Sequence, residues 1–163
     1  MAAEEEPSTF EAFFAVHQGD LFAAMWLITR DRQEAEEISQ DSFLRLWPRW
    51  DRVAAMDDPE GYLYRTAMNV FRSRRRRASL AIRRMRHPAP PDDLLEAVER
   101  REILVQALSA LTPRERAAVV LTDLLGFSSE EAGRKLSIRP VTVRVLASRA
   151  RGRMQKEATD DDS

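Results

Sequence analysis

The segment SSEEAGRKLSIRPVTVRVLASRARGR, residues 128–153, carries the strongest signal of tertiary structure in the chain. Ser128 followed by Glu131 is the pattern of a capping box, in which each side chain satisfies the other residue's backbone N–H at the start of a helix. Pro140 suits the first position of the next helix, where no backbone N–H is needed. Two helices separated by about three residues are typical of a helix-turn-helix, which places its second helix in the major groove of DNA.

The second of these helices has two chemically different sides. At about 100° per residue, one side is an apolar stripe of Val143, Leu146, Ala147, Ala150 and Met154. The other side carries small residues and arginines, which suits a major groove about 12 Å wide. We predict that Arg149 contacts a guanine edge and that flanking arginines contact phosphates. The predicted DNA-facing set is Thr142, Arg144, Val145, Ser148, Arg149 and Arg153. A plain solvated basic face is the alternative.

Other helices in the C-terminal half are delimited by similar signals. Thr112 and Glu115 form a second capping box with a proline between them. Gly126 is where that helix should stop, because glycine tolerates the left-handed conformation of a C-terminal cap. Residues 94–111 also have a helical pattern, and the last helix should run to about Gln155.

The sequence of the N-terminal half predicts three helices and one loop. The spacing of apolar residues predicts helices over 10–28, over 33–47 and from 59 into an arginine run. Ser8 or Thr9 is expected to cap the first helix. Pro48 should end the second helix, and Trp50–Asp58 is predicted to be a loop. Asp58 is the expected cap of the third helix.

A proline-rich segment divides the chain. His87–Asp93 holds three prolines in four residues, which favour extended backbone over helix. We therefore predict an all-α protein in which two small helical domains are joined by a Pro-rich linker. The predicted divisions are a first domain over 8–86, a linker over 87–98, a second domain over 99–156 and a disordered acidic tail over 157–163.

Charge is strongly segregated along a chain whose net charge is only -1. Residues 1–60 contain 14 acids and 5 bases, whereas residues 61–91 contain 9 bases and no acid. Residues 92–133 are acidic again, and residues 134–156 contain 8 bases and no acid. Each acid-free block ends or contains a predicted amphipathic helix, which favours nucleic acid as the partner of both.

Several classes of site are excluded by composition. The chain has no cysteine, which excludes disulfides, thiolate zinc sites and a cysteine nucleophile. Its two histidines, His17 and His87, lie too far apart in sequence to form a local metal-binding pair. Its five glycines include no phosphate-binding loop. No uninterrupted apolar run reaches the roughly 18–20 residues that span a bilayer, and the acidic start is unlike a secretion signal. We therefore expect a cytoplasmic protein with no catalytic residue, no metal, no cofactor and no small-molecule substrate.

The first basic block follows a group of aromatic residues. Its arginines, between Arg72 and Arg86, continue an amphipathic helix, which favours nucleic acid over a disordered tail or a membrane-surface patch. Aromatic side chains beside a basic face can stack on unpaired bases. Phe71 is expected in the core, whereas Tyr62 and Tyr64 are open between the core and a stacking role.

An acidic helix face covers residues 34–41, with Leu44 beside it. No His, Lys or metal ligand accompanies these carboxylates, so they are not a catalytic pair. The two alternatives are a solvated face and a surface that docks onto a basic protein.

In this order the segments resemble the sigma-70 family of bacterial RNA polymerase sigma factors, particularly the extracytoplasmic-function (ECF) group. DRQEAEEISQDSFLRLW (31–47) resembles region 2, and DPEGYLYRTAMNV (58–70) continues into its promoter-melting part. ALSALTPRER (107–116) and GFSSEEAGRKL (126–136) resemble region 4. The resemblance covers about residues 10–86 and 99–156.

The resemblance implies a transcription initiation factor that is not an enzyme. Region 2 would bind the clamp helices of the RNA polymerase core through Gln40, Asp41 and Leu44, and would open the minus-10 element of promoter DNA. The implied minus-10 contacts are Tyr62, Tyr64, Arg65, Asn69 and Arg72, with Trp50–Asp58 as the loop that holds a flipped base. Region 4 would read the minus-35 element through the DNA-facing set of the last helix. An anti-sigma factor is the implied regulatory partner, and the protein would meet a membrane only through it.

Four features depart from the usual pattern of the family. Ser137 stands where the turn commonly has glycine, and Arg139–Val141 replaces a small-residue cap. Val145 and Leu146 replace a usual Ser and Arg. Gly133 replaces alanine, at an expected cost of roughly 0.5–1 kcal/mol of helix stability.

Two other functions are compatible with the sequence. A helix-turn-helix transcriptional regulator would use only the C-terminal half, with the N-terminal half for dimerisation or sensing. An adaptor would bind polymerase or an anti-sigma protein without initiating transcription. Arg65–Asn69, the tyrosine pair and the acidic helix favour the sigma factor, because a plain regulator does not need them.

Overall fold

A computed structural model of the protein describes residues 9–80 and 104–161. Every regular element within these two ranges is helical, which confirms the all-α prediction. The first range contains α1 (Phe10–Thr29), α2 (Arg32–Leu46), a 3-10 turn (Trp47–Arg49), α3 (Trp50–Ala54) and α4 (Pro59–Leu80). The second contains a helical turn over 104–107, α5 (Pro113–Val119), a π-helical segment (Val120–Leu124), α6 (Ser129–Leu136) and α7 (Pro140–Asp161).

Side-chain caps determine where these helices begin. Thr9, Asp31 and Asp58 each accept a hydrogen bond from the backbone N–H three residues further along the chain. Both predicted capping boxes, Thr112–Glu115 and Ser128–Glu131, are present. Each cap satisfies a backbone donor that would otherwise be unpaired at the helix start. The predicted starts of α1, α4, α5 and α6 are therefore confirmed.

The predicted loop over Trp50–Asp58 is wrong in its first half. Trp50–Ala54 is helix α3, and only the residues from Ala55 to Asp58 lie outside a helix. Val53 is buried, and the ring centre of Trp50 lies 4.8 Å from that of Phe13 in α1. These two apolar anchors hold the chain against α1 and leave only a short connection to α4.

The last helix is longer than predicted. It continues past Gln155 to Asp161, so the described part of the predicted acidic tail is helical and not disordered. Alanine, glutamine, lysine and glutamate favour helix, and no proline follows Pro140 in this helix. Of the helix predicted over 94–111, the described part is helical only at 104–107. The predicted linker, residues 87–98, lies outside the described residues.

The core runs through both described ranges. α1, α2 and α4 pack together, and their fully buried side chains include Leu21, Ile28, Ile38, Leu46 and Leu63. Phe71 is also buried, as predicted. In the second range α7 packs on α5 and α6 through the predicted apolar stripe, of which Val143, Ala147 and Ala150 are fully buried. The two ranges meet where α4 packs on α6 and α1 packs on α5.

Helix α1 is long and apolar enough, by length and composition alone, to cross a membrane. The sequence did not predict a helix of membrane-spanning character here, because Glu11 and Asp20 interrupt its apolar residues. Its buried residues are those that face the rest of the bundle, among them Leu21, Met25 and Ile28. A core helix of a helical bundle has this same pattern.

Candidate functional site

The acidic face of α2 carries the three predicted polymerase contacts. Gln40 is exposed, and Leu44 is 61% exposed, which is unusual for a leucine beside a packed core. Asp41 is only partly exposed, because its carboxylate Oδ2 lies 3.2 Å from Nη2 of Arg74 in α4. Nη1 of the same guanidinium donates to Glu37 at 2.6 Å, and this hydrogen bond raises the pKa of Arg74. The acidic face is therefore held against α4 by one arginine.

Exposed aromatic residues extend this surface beyond the predicted trio. Trp47 is 62% exposed and Phe14 is 38% exposed. The ring of Phe10 lies 6.4 Å from each of their rings, so the three form a continuous ridge. Sequence reasoning assigned no docking role to Phe14 or Trp47; Trp47, at the end of an acidic amphipathic helix, was the available signal.

A groove between α4 and the end of α2 contains the predicted base-reading amide. It has a volume of about 590 Å³, and Tyr62, Thr66 and Asn69 line one wall. The opposite wall consists of Leu44, Arg45, Leu46, Pro48 and Arg49. Asn69 is exposed, and its Oδ1 accepts a hydrogen bond from Nη2 of Arg72 at 3.1 Å. A partly exposed ring, an amide and cations thus meet in one concave surface, which is the combination that binds unpaired bases.

Tyr64 does not share this groove, contrary to the prediction that it contacts minus-10 DNA. It is 2% exposed, and its ring packs edge-on against Phe127, with ring centres 5.5 Å apart. Burial raises the pKa of its hydroxyl. On helix α4, Tyr64 lies about 140° from Asn69 at 100° per residue, so the same helix cannot present both to one strand.

The arginines of α4 divide into two groups. Arg74 is bound to the carboxylates of α2, and Arg75 lies over the ring of Phe71 at 5.7 Å. Arg65 and Arg76 are exposed and form no ion pair among the described residues. They lie within about 40° of Asn69 around the helix, on the groove side. Arg83, Arg84 and Arg86 of the predicted cluster lie outside the described residues.

The turn between α6 and α7 is tight. Ser137 adopts a left-handed conformation with φ 55°, at the position where glycine was expected. A Cβ on Gly133 would lie 2.8 Å from the carbonyl oxygen of Ile138, closer than real Cβ atoms approach. The glycine that was expected only to cost helix stability is therefore required by the close approach of the turn.

Helix α7 presents the predicted DNA-facing set, with one exception. Of the set, Val145 is 43% exposed, and Ser148 and Arg149 are exposed as well; Val141, which is not in the set, is 53% exposed beside them. Arg149 forms no ion pair among the described residues. Thr142 is partly exposed and Arg144 is exposed, and Nη1 of Arg144 lies 3.6 Å from Oε1 of Glu130. Two apolar side chains beside a cation suit a major-groove edge that has thymine methyls and a guanine.

Arg153 is the exception. Its side chain is exposed, but Nη1 lies 3.2 Å from Oε2 of Glu115, whose side chain is only 5% exposed, so this arginine also pairs with a buried carboxylate of α5. Arg151 is similarly bound, at 2.8 Å, to Asp123. Within residues 9–80 and 104–161 no group of His, Asp and Glu side chains could hold a metal ion.

Comparison with protein families gives two matches. The sigma-70 region 2 family matches residues 13–81, and the sigma-70 region 4 family matches residues 101–154. Together the matches cover most of the chain and most of both described ranges.

Curated relatives extend over nearly the whole chain. The ECF RNA polymerase sigma factor SigM of Mycobacterium tuberculosis is 30% identical over 159 residues, covering 90% of this chain and 76% of the relative. The RNA polymerase sigma-E factor of Streptomyces avermitilis is 27% identical over 162 residues, covering 98% and 90%. The ECF sigma factor SigG of M. tuberculosis is 28% identical over 185 residues. This chain spans about half the length of SigG, namely 50%.

Two solved structures share the fold. The sigma factor RpoE of Bartonella quintana, in complex with the anti-sigma factor NepR, superposes with a TM-score of 0.78 at 22% identity, over 90% of this chain and 94% of that one. CnrH, in complex with the cytosolic domain of CnrY, gives a TM-score of 0.66 at 23% identity, over 99% and 94%.

Proposed function

The chain belongs to the sigma-70 family, as a sigma factor of the ECF group, and we propose which of its surfaces binds the polymerase core and which bind the promoter elements. Region 2, over 8–86, binds the polymerase core and opens the minus-10 element. Region 4, over 99–156, binds the minus-35 element, and residues 87–98 link the two. The protein acts in the cytoplasm and has no catalytic chemistry of its own.

The observation that carries this proposal is the groove that holds Asn69. An exposed amide can donate to and accept from a base edge, and the partly exposed ring of Tyr62 offers a stacking surface beside it. Extruding a base from the duplex costs a few kcal/mol, which stacking and hydrogen bonds in such a groove offset. Arg65, Arg72 and Arg76 lie on the same side of α4, where phosphates of the opened strand would pass.

The polymerase contact is proposed for the acidic face of α2 and the ridge beside it. Gln40 and Leu44 are exposed next to carboxylates, so the surface combines apolar area with negative charge. Such a surface fits a basic and partly apolar helical partner, because charges steer the encounter and buried apolar area supplies affinity. Leu44, Trp47 and Phe14 are the proposed apolar anchors.

Region 4 reads DNA through α7 in this proposal. Arg149 is the base-reading residue, and Val141 and Val145 contact thymine methyls. An anti-sigma factor is the proposed regulator, since the sigma factor RpoE, which shares this fold, was solved bound to the anti-sigma factor NepR. Membrane association is proposed to be indirect, through that partner.

Transcription in vitro tests the proposal as a whole. Purified protein is added to RNA polymerase core with a library of genomic DNA fragments, and transcript starts are sequenced. We expect starts downstream of a shared pair of elements. DNA binding without any initiation would instead identify a helix-turn-helix regulator, and core binding without initiation would identify an adaptor.

Two variant sets test the assigned surfaces. Leu44→Ala and Asp41→Arg should weaken core binding, whereas Val16→Ala, which truncates an equally exposed residue of α1 (62%), should not. Asn69→Ala should reduce the yield of open complexes in permanganate footprinting by about tenfold, as expected when an amide loses its hydrogen bonds to one base edge. Gln18→Ala, an exposed amide on α1, is its control. Equal effects of a variant and its control would contradict that assignment.

A further inference from the structure

An arginine of α4 occupies the carboxylates of the proposed polymerase surface. The guanidinium of Arg74 lies between two acidic side chains that are one turn apart on α2. Its Nη1 donates to Oε2 of Glu37 at 2.6 Å, and its Nη2 donates to Oδ2 of Asp41 at 3.2 Å. The hydrogen bond to Glu37 raises the pKa of Arg74, so the arginine stays charged. In the free protein Arg74 therefore neutralises one of the two negative charges of this pair.

Negative charge is in excess on this side of α2. At 100° per residue Glu34, Glu37 and Asp41 lie within about 60° of one another around the helix, and like charges at such spacings repel. Burial raises the pKa of Glu34, and the neighbouring carboxylate of Asp31 adds to this effect. Among the described residues, Arg74 is the cation that pairs with this face. The face therefore has carboxylate oxygens left for a second cation.

The position of Arg74 allows it to be exchanged for another cation. Its side chain is 31% exposed, and those of Glu37 and Asp41 are 46% and 44% exposed. Ion pairs with this much exposure contribute little to stability, because water already solvates both partners. A cavity of about 530 Å³ opens beside the pair, between α2 and α4, with Asp31 and Glu34 in its wall. The guanidinium can thus move aside without leaving a buried charge unpaired.

We propose that Arg74 is an internal counter-ion of the polymerase surface, and that a basic side chain of the polymerase core takes its place on Glu37 and Asp41. Arg74 then determines the specificity of core binding without contributing to its affinity. This inference rests on the proposed function, since it assumes that the core binds the acidic face of α2.

An internal counter-ion makes the surface selective because it competes with every basic partner. A partner that offers only charge exchanges one ion pair for another and gains little. A partner that also covers Leu44 and Trp47, which are 61% and 62% exposed, gains the affinity of buried apolar area as well. Specificity is a difference between two affinities, and repulsion by Arg74 lowers the affinity for partners that lack the apolar contact.

Binding of the full-length protein to RNA polymerase core, without DNA, tests this competition. Affinity and association rate are measured at about 0.1 M salt and at higher salt, because the Debye length falls from about 10 Å towards about 3 Å at 1 M. Arg74→Gln removes the charge and retains a hydrogen-bond donor. Arg77→Gln is the matched control, since it removes an exposed cation that lines the same cavity and forms no ion pair among the described residues.

We expect Arg74→Gln to tighten core binding about three- to tenfold at about 0.1 M salt, mainly through faster association, because a like charge is removed from the path of the incoming cation. The difference from wild type should shrink as salt rises. Arg77→Gln should change the affinity by less than about twofold. When Glu37→Gln and Asp41→Asn are already present, Arg74→Gln should have no further effect, since the two sites are then uncoupled.

Two results overturn the internal counter-ion. One is weaker core binding by Arg74→Gln with native helix content in circular dichroism, which would show that Arg74 positions the carboxylates and does not compete. The other is an effect equal to that of Arg77→Gln. If Arg74→Gln loses helix content, Arg74→Met, which retains the aliphatic length, is measured in its place. Failure of the proposed function looks different, since the wild-type protein would then bind core and support no initiation, while the same variants still report the exchange.

Discussion

The two arginine-rich helices, α4 and α7, differ in where their paired cations point. In α4, Arg74 bridges Glu37 and Asp41 of α2, and so connects the helix that carries Asn69 to the proposed polymerase surface. In α7, Arg151 and Arg153 pair with Asp123 and Glu115 of region 4 itself. Arg74 of α4 thus connects two proposed binding surfaces, whereas the paired arginines of α7 stabilise one domain.

This difference shows that a count of basic residues overstates the number of DNA contacts. The acid-free block 134–156 holds 8 bases, yet several of them have carboxylate partners from earlier in the chain. Among the described residues, exposed cations of these helices that form no ion pair include Arg149 in α7 and Arg65 and Arg76 in α4, and these are the ones we expect to contact DNA.

Arg149→Ala should produce the largest effect on DNA reading. Loss of a bidentate arginine–guanine contact removes about 1–3 kcal/mol of discrimination, so preference at one base pair of the minus-35 element should fall by up to about 100-fold. A saturation library of the minus-35 element, transcribed with wild type and variant, measures this. If the profile of Arg149→Ala equals that of wild type while Arg144→Ala loses preference, the helix docks in another register.

Arg153→Ala should act on stability instead. It leaves the buried carboxylate of Glu115 without its cation, at a cost of about 2 kcal/mol in the free energy of unfolding. Arg149→Ala should change that free energy by no more than about 0.5 kcal/mol, as is usual for exposed sites. Urea denaturation of both variants gives the comparison, and equal midpoints would show that the Arg153–Glu115 pair contributes nothing.

Within α4, Arg76→Ala and Arg74→Ala should separate DNA affinity from polymerase affinity. Loss of one phosphate contact by Arg76→Ala reduces the slope of log affinity against log salt by about one, for every promoter alike. Arg74→Ala should leave that slope unchanged and alter core binding, because its partners lie on α2. A smaller slope of log affinity against log salt for Arg74→Ala would instead indicate that this arginine contacts a DNA phosphate.

The smallest expected effect lies at the turn that leads into α7. Ser137→Gly should raise stability by about 0.5–1 kcal/mol, because glycine adopts φ 55° without the steric cost that serine carries. Ser148→Gly, in the middle of the helix, should lower it by a similar amount. Thermal unfolding of the pair shows whether the left-handed turn is strained.

Local features of the fold could be predicted from the sequence, whereas contacts between distant residues could not. Each cap, such as Thr112–Glu115, is specified within four residues, so it is visible without any tertiary information. The angle of Arg153 on its own helix predicted a phosphate contact and gave no sign of its ion pair, because its partner Glu115 is on α5. Tyr64 was ambiguous for the same reason, because Phe127 lies 63 positions away.

Predictions from helix propensity and composition were also wrong at positions where tertiary packing or an adjoining helix determines the conformation. Gly133 reads as a weak helix residue, yet the carbonyl oxygen of Ile138 leaves no room for a side chain there. The segment after Gln155 reads as an acidic tail, yet its residues are good helix formers that extend a helix already nucleated at Pro140. Of the candidate site, the residues on exposed faces were predictable, and the residues that hold those faces in place were not.

The π-helical segment Val120–Leu124 behaves like a one-residue insertion retained inside a helix. Leu125 N donates to the carbonyl oxygen of Val120 at 3.0 Å, five residues back, so this turn contains one residue more than an α-helical turn. The extra residue changes the phase of the chain that follows by about 100°. Removing one residue here would restore α-helical phase and rotate Phe127 away from Tyr64. The helical phase of this one turn therefore determines whether Phe127 can pack against Tyr64 of the other half of the protein.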